Sequence, residues 1–160
     1  KDFFVITLGT GVGSGIVIGG NLVYGHDGFA GELGHVIMRR NNGRQCGCGR
    51  QGCLELMLQL PVWLVRLVNI WKSVRTRVFF ATWIRMNHFK DVYDAAMKND
   101  KIALEIFEAT GSMLGEAFAD FVAFSSPEAI ILFGGLTKAG DLIMNRLNVQ
   151  WRKYVESLRR

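Results

Sequence analysis

Cysteines, acidic residues and long apolar runs are scarce or unevenly placed in this sequence. Only three cysteines occur among the 160 residues, all within Cys46–Cys53, so they cannot form a disulfide framework spread over the chain. No basic segment leads into an apolar run with a small-residue cleavage site, as it does in a secretory signal. We therefore expect a cytoplasmic protein.

Acidic residues are absent between Leu56 and Lys90, where six lysines and arginines fall. Removing those six cations from the net charge of +5 leaves −1, so the excess positive charge is local and argues against a general nucleic-acid-binding surface. The apolar part of this stretch, Leu56–Trp71, is shorter than the roughly 20 residues that span a bilayer, and it contains Pro61 and Arg66. We expect no membrane span.

The composition is that of one globular domain, with 49% hydrophobic and 21% charged residues. Phe3–Leu8 is β-branched and aromatic, which predicts a strand, and the glycines of Gly9–Gly15 predict a turn. Further short strands are expected over Ile16–Ile18, Leu22–Tyr24 and His35–Met38. Because a strand follows Lys1 almost at once, we expect the chain to be part of a longer protein.

The second half of the sequence has helical periodicity. Apolar residues at three- and four-residue steps predict a long helix over Lys101–Phe124, with a shorter one over Lys90–Asn99. Ala129–Phe133 has the pattern of a buried strand, and the tail from Gly140 that of a helix. This order of elements predicts a mixed α/β domain.

One histidine and three cysteines form the strongest chemical signal. His35, Cys46, Cys48 and Cys53 supply the ligands of a tetrahedral Cys₃His zinc site, and the glycines of CGCGRQGC let the loop curl tightly around an ion. Such a site has no open position, so the zinc would be structural. The alternative is that the cysteines are small core residues, but so polar a loop offers them little core.

The turn GTGVGSG, Gly9–Gly15, has glycine at every second position. It matches neither the Walker pattern nor the dinucleotide-binding pattern, and a strand rather than a helix follows it. Backbone N–H groups in such a turn can surround a phosphate, with Thr10 adding a hydroxyl. Spacing alone leaves open an ordinary hairpin turn.

Four stretches, ITLGTGVGSGIV, GFAGELGHV, CGCGRQGCLE and ILFGGL, together resemble the ROK family of bacterial sugar kinases and sugar-responsive repressors. The resemblance covers most of the chain outside residues 56–89 and the tail. It implies the C-terminal part of an actin- and hexokinase-like (ribonuclease H-like) fold: a single partial kinase domain over residues 1–160, with a zinc loop over residues 35–55.

The resemblance also implies site residues. Near the ATP phosphates it puts Gly9, Thr10, Gly11 and Gly13, and at the adenosine Gly134 and Gly135. Sugar hydroxyls would be bound by Glu32, His35 and Glu55. His35 would then serve both zinc and sugar through its two ring nitrogens. The alternative for the two glutamates is a pair of solvated surface acids.

For the reaction, the resemblance implies ATP-dependent phosphorylation of a hexose, most simply glucose, with Mg²⁺ accompanying ATP. The family's catalytic aspartate lies upstream of ITLGTG, so we expect this chain to lack turnover of its own. Homodimers are common in the family. Two alternatives stay open: the sugar-sensing half of a ROK-type repressor, the only case that involves nucleic acid, and a zinc-stabilised domain without a ligand.

Residues 56–89 and 146–152 do not resemble the family, and all four tryptophans lie in these two segments. Met57–Lys72 can be encoded so that the neighbouring reading frame translates as YATATGVARTAREYLE, which resembles the helix that the family has after C-L-E. Residues 146–152 similarly yield PLKRAME when one base is restored. Both segments are therefore predicted to be read out of frame; the alternative is a divergent helix.

Sequencing of the coding DNA across codons 55–91 tests this prediction. We expect one adenine to be missing just after the Glu55 codon, because adding it back regenerates the family helix. The frame should be restored by about Asp91. A continuous reading frame with no missing base would show that the segment is a genuine divergent helix.

Overall fold

A four-stranded mixed sheet organises the chain in the order β3–β2–β1–β4. The computed structural model describes residues 1–58 and 89–158. The strands are β1 Phe3–Leu8, β2 Val12–Ile18, β3 Asn21–Leu22 and β4 Ala129–Phe133. Strand β1 pairs antiparallel with β2 and parallel with β4, and β2 pairs antiparallel with β3.

Four α-helices and two 3₁₀ turns complete the described part of the chain. The helices are α1 Leu54–Leu58, α2 Phe89–Ala96, α3 Lys101–Ser125 and α4 Asp141–Leu158, and the 3₁₀ turns are Leu33–His35 and Gly135–Ala139. Helix α3 begins where the Asp100 carboxylate accepts a hydrogen bond from the Ala103 N–H at 2.9 Å. It ends at Ser126, whose left-handed backbone precedes Pro127. The predicted mixed α/β class is confirmed.

The core lies between one face of the sheet and helix α3. Alternate residues of β1 are buried, as a strand with one covered face requires. They join the buried side of α3 in one apolar cluster, in which the rings of Phe4 and Phe121 meet edge to face at 6.4 Å. Leu54 and Leu58 of α1 belong to the same cluster, which fixes the start of that helix against the domain.

Helices α3 and α4 approach closely because two glycines of α3 face the α4 backbone. A Cβ at Gly111 would lie 2.6 Å from the Ile143 carbonyl oxygen, and one at Gly115 would lie 2.7 Å from that of Leu147. The side chain of Arg146 donates to the Ser112 hydroxyl at 3.2 Å. Residues 146–152 therefore lie within a packed helix here, and their out-of-frame origin stays a prediction.

Two local expectations are wrong. His35–Met38 forms no strand: His35 ends a 3₁₀ turn, and Ile37 makes a single bridge to Cys53, because only a short piece of the loop runs alongside. The turn after β1 is also shorter than Gly9–Gly15, since β2 already begins at Val12. Of the suspect segment 56–89, residues 59–88 lie outside the described residues.

No helix within residues 1–58 and 89–158 combines the length and the apolar character needed to cross a membrane.

Candidate functional site

Two glycine turns meet at one edge of the sheet. Strands β1 and β4 run parallel, so their carboxyl ends lie side by side, with Thr7 opposite Phe133. The first turn, Gly9–Gly11, follows β1, and Gly134–Gly135 follows β4. Gly134 has φ +110°, and a Cβ there would collide with the Leu8 carbonyl. The two turns predicted to bind nucleotide are therefore neighbours.

The tip of the first turn is exposed backbone. The Gly9 N–H donates to the Gly11 carbonyl at 3.0 Å, and Thr10 is exposed. Among the described residues, no heavy atom beyond the chain neighbours lies within 4 Å of a Cβ built at Gly9 or Gly135, which leaves space for a ligand at both. Gly13 instead lies within β2, where its carbonyl accepts from the Thr7 hydroxyl at 3.3 Å.

The predicted metal ligands converge. One ligand atom from each of His35, Cys46, Cys48 and Cys53 lies within 4.8 Å of the other three. The Cys48 and Cys53 sulfurs are 3.6 Å apart, and the Cys46 sulfur is 3.7 Å from His35 Nδ1. Four ligands at Zn–S distances of about 2.3 Å would stand roughly 3.8 Å apart, so the residues fit a tetrahedral zinc ion.

A tight loop brings the three sulfurs together. The Cys46 N–H donates to the Arg50 carbonyl at 2.7 Å, and the Gly49 N–H to the Cys46 carbonyl at 3.0 Å. Gly49 and Gly52 both have positive φ, and any side chain at Gly52 would collide with the Arg39 backbone. These glycines are therefore required for the loop geometry that the sequence predicts.

The three thiols differ in their affinity for protons. Hydrogen bonds from the backbone and side chain of Arg50 lower the pKa of Cys48 to about 6, which favours the thiolate. Burial is the larger cause and hydrogen bonding with Cys48 the next, and together they raise the pKa of Cys53 to about 12. At Cys46 a backbone hydrogen bond at Cys48 favours the thiolate, but burial and the Glu55 carboxylate outweigh it and raise the pKa. A cation at their centre would favour all three thiolates.

Glu55 connects this cluster with the first glycine turn. Its Oε1 accepts a hydrogen bond from the Cys46 thiol at 3.2 Å and lies 3.7 Å from His35 Nδ1. Its Oε2 lies 3.1 Å from the position that a Cβ of Gly11 would take. The structure therefore brings Glu55, His35 and Gly11 together.

Glu32, the remaining predicted sugar-binding residue, directly precedes the 3₁₀ turn that ends at His35. It is exposed, and its carbonyl accepts from the His35 N–H at 3.0 Å. The Gly31–His35 segment packs on β2 so closely that a Cβ at Gly34 would collide with the Val12 carbonyl. Glu32 and His35 thus share one short turn beside the strand that follows the first glycine turn.

Sequence reasoning misses Ser14, which takes part in this packing. Its hydroxyl donates to the Gly31 carbonyl and accepts from the Leu33 N–H at 3.0 Å. The available signal is weak, because Ser14 is one of two hydroxyl residues, with Thr10, in the predicted glycine turn.

Known proteins with similar sequences were compared with the chain. A profile of the ROK family matches residues 1–159. A glucokinase of Halalkalibacterium halodurans is 34% identical over 157 residues, which are 96% of this chain and 47% of that protein. The transcriptional regulator NagC of Escherichia coli is 29% identical over 145 residues, 90% of this chain and 34% of the regulator. The chain spans about half the length of the curated glucokinases that it matches.

Known structures give the same picture of the fold. A ROK family glucokinase from Streptomyces griseus, crystallised with glucose and AMPPNP, superposes with a TM-score of 0.80. The match has 27% identity and covers 96% of this chain and 51% of that one. The predicted sugar-kinase fold is therefore confirmed.

Substitution of the second glycine turn tests its contact with β1. Gly134→Ala should lower the free energy of unfolding by about 2–4 kcal/mol, because it combines a forbidden φ with a collision against Leu8. Gly135→Ala is the matched control; with open space around it, it should stay within about 0.5 kcal/mol. Urea unfolding measures both, and equal effects would contradict the geometry.

Proposed function

Because the chain belongs to the ROK family, we propose that it is the nucleotide- and sugar-binding half of a hexose kinase that phosphorylates glucose. The observation that carries this proposal is the position of Glu55, whose Oε1 bonds the Cys46 thiol of the cysteine–histidine cluster and whose Oε2 lies 3.1 Å from where a Cβ of Gly11 in the first glycine turn would be. A sugar hydroxyl held by Glu55 would lie next to phosphates held by that turn.

Nucleotide binding is assigned to the two neighbouring turns. The backbone of Gly9, Thr10, Gly11 and Gly13 would lie near the ATP phosphates, and Gly134 and Gly135 would contact the adenosine. Backbone N–H groups of glycine turns suit oxyanions, and the space that the described residues leave at Gly9 and Gly135 supports close approach. Magnesium would arrive with ATP and neutralise its phosphates.

Sugar binding is assigned to Glu32, His35 and Glu55. When bound, zinc would supply structural rigidity, drawing the loop over residues 35–55 onto its Cys₃His ligands. Nδ1 of His35 faces the cluster, which leaves Nε2 to bond a sugar hydroxyl. With zinc bound, Cys46 would be a thiolate and would not donate to Glu55, which would leave that carboxylate available to the sugar.

The proton of the attacking hydroxyl requires a base, and we assign that role to an aspartate outside this chain. Two aspartates near the start of the chain make other contacts. Asp2 accepts from the Gly19 N–H, and the exposed Asp27 lies 2.7 Å from His26. Neither is assigned the role of the base, and on this proposal the chain binds both ligands without turning them over.

A second candidate is the sugar-sensing half of a transcriptional repressor, supported by the similarity to NagC. Both candidates use the same sugar residues and zinc. A DNA-binding helix-turn-helix elsewhere in the full protein would decide for the repressor, and a second phosphate loop with the catalytic aspartate for the kinase. Homodimerisation and a cytoplasmic location are also part of the proposal.

Metal analysis tests the zinc site. Protein purified in reducing, chelator-free buffer should contain about one zinc per chain, measured by plasma mass spectrometry. His35→Gln should lose most of the zinc, because only three of the four ligands remain. His26→Gln is the control and should retain it, since His26 is exposed and outside the cluster. A zinc-free wild-type protein would contradict the proposal.

Calorimetric titration tests the sugar site. The zinc-loaded chain should bind glucose, and Glu55→Gln should weaken binding by about 10- to 100-fold, because a hydrogen bond to a charged group is lost. Glu105→Gln, an exposed acid on α3, is the control and should bind normally. Equal affinity of the two variants, or no glucose binding by the wild type, would count against this function.

A parallel assay addresses catalysis. The purified chain with ATP, Mg²⁺ and glucose should form no glucose 6-phosphate. Product formation would show that the base lies within the chain and would overturn its assignment elsewhere.

A further inference from the structure

Ser14 lies in β2, opposite Ile6 of β1 and three residues after the tip of the first glycine turn. It is half-buried, and its hydroxyl makes two hydrogen bonds that leave the sheet. It donates to the Gly31 carbonyl and accepts from the Leu33 N–H at 3.0 Å. One side chain therefore bonds both ends of a short backbone segment.

That segment carries one of the three proposed sugar-binding residues and leads directly into a second. Glu32 lies between Gly31 and Leu33, and His35 ends the 3₁₀ turn that Leu33 begins. The Leu33 N–H also donates to the Gly31 carbonyl at 2.7 Å, across only two residues. The Ser14 hydroxyl thus supplies a second acceptor to this N–H, and this acceptor belongs to β2 rather than to the turn itself.

Close packing of two glycines on β2 adds to the hydrogen bonds of Ser14. Gly31 has φ +88°, and a Cβ there would lie 3.5 Å from the Gly15 Cα atom. A Cβ at Gly34 would collide with the Val12 carbonyl. The glycines let the segment lie flat on β2, but glycine contacts are not directional, so they do not determine its position along the strand.

We propose that Ser14 is a positioning residue that fixes the Glu32–His35 turn against the strand leading from the phosphate-binding turn. This inference rests on the proposed function, since it concerns the alignment of its sugar and nucleotide sites. Removal of the hydroxyl should let the turn shift along β2 and weaken sugar binding. The nucleotide turn, held by the β1–β2 and β1–β4 pairing, should keep its geometry.

The chain provides a matched control in Ser112. It is also half-buried, and its hydroxyl accepts from Arg146 Nε at 3.2 Å and from Gln150 Nε2 at 3.1 Å, joining α3 to α4. Ser112→Ala removes the same number of hydrogen bonds between two elements, away from the site. It therefore reports the effect of a general loss of stability.

The experiment compares Ser14→Ala, Ser112→Ala and the wild type in three measurements on the zinc-loaded chain. These are amide hydrogen exchange of Leu33 by NMR, and calorimetric affinities for glucose and for AMPPNP. Ser14→Ala should speed Leu33 exchange and weaken glucose binding, each by about tenfold, as expected for one or two hydrogen bonds. AMPPNP affinity should stay within about twofold, and Ser112→Ala should change none of the three by more than that.

Three results would overturn the inference: unchanged Leu33 exchange in Ser14→Ala, equal loss of glucose and AMPPNP affinity, or the same loss in Ser112→Ala. If the wild type binds no glucose, the proposed function fails separately. Zinc affinity by chelator competition then replaces the glucose measurement, because His35 lies on the same turn. Unchanged Leu33 exchange or unchanged zinc affinity in Ser14→Ala would then reject the role of Ser14.

Discussion

The pairing of β1 with both β2 and β4 is the constraint on which the rest of the structure depends. Its antiparallel partner makes the first glycine turn a hairpin, and its parallel partner brings the second glycine turn to the same edge. The buried face of β1 also anchors α3 through contacts such as Phe4 with Phe121. One strand therefore holds together the core and the proposed nucleotide site.

The sugar side of the proposed site is built differently, from loops that have little core of their own. Cys46, Cys53 and Leu56 form a small buried cluster separate from the main core. Loops of this kind need an outside constraint, which the convergent cysteine–histidine ligands would provide through a metal. Glu55 then lies between the two sides, since its carboxylate accepts from Cys46 and lies beside the space that a Cβ of Gly11 would fill. On this account, the zinc loop and the sheet form one site through a single side chain.

The elements with strong local patterns could be predicted from the sequence. Strands β1 and β4 and the start of α3 agree with the expected bounds, and His35, Cys46, Cys48 and Cys53 lie together as their pattern predicts. The His35–Met38 region could not be predicted, because its apolar residues Val36 and Met38 pack against the main core while its backbone makes only the single bridge from Ile37 to Cys53. The contacts of Ser14 and Glu55 join residues brought together only by folding. The roles of the site residues stay predictions.

Backbone amide shifts in the ¹⁵N-labelled, zinc-loaded chain, titrated with AMPPNP and then with glucose, test the central claim most directly. AMPPNP should shift Gly9, Thr10, Gly11 and Gly135, because its phosphates and adenosine would lie against these two turns. Glucose should shift Glu32, His35 and Glu55, with a secondary effect at Gly11 next to the Glu55 carboxylate. Shifts confined to surfaces away from the glycine turns and the zinc loop, or none at saturating ligand, would contradict the account.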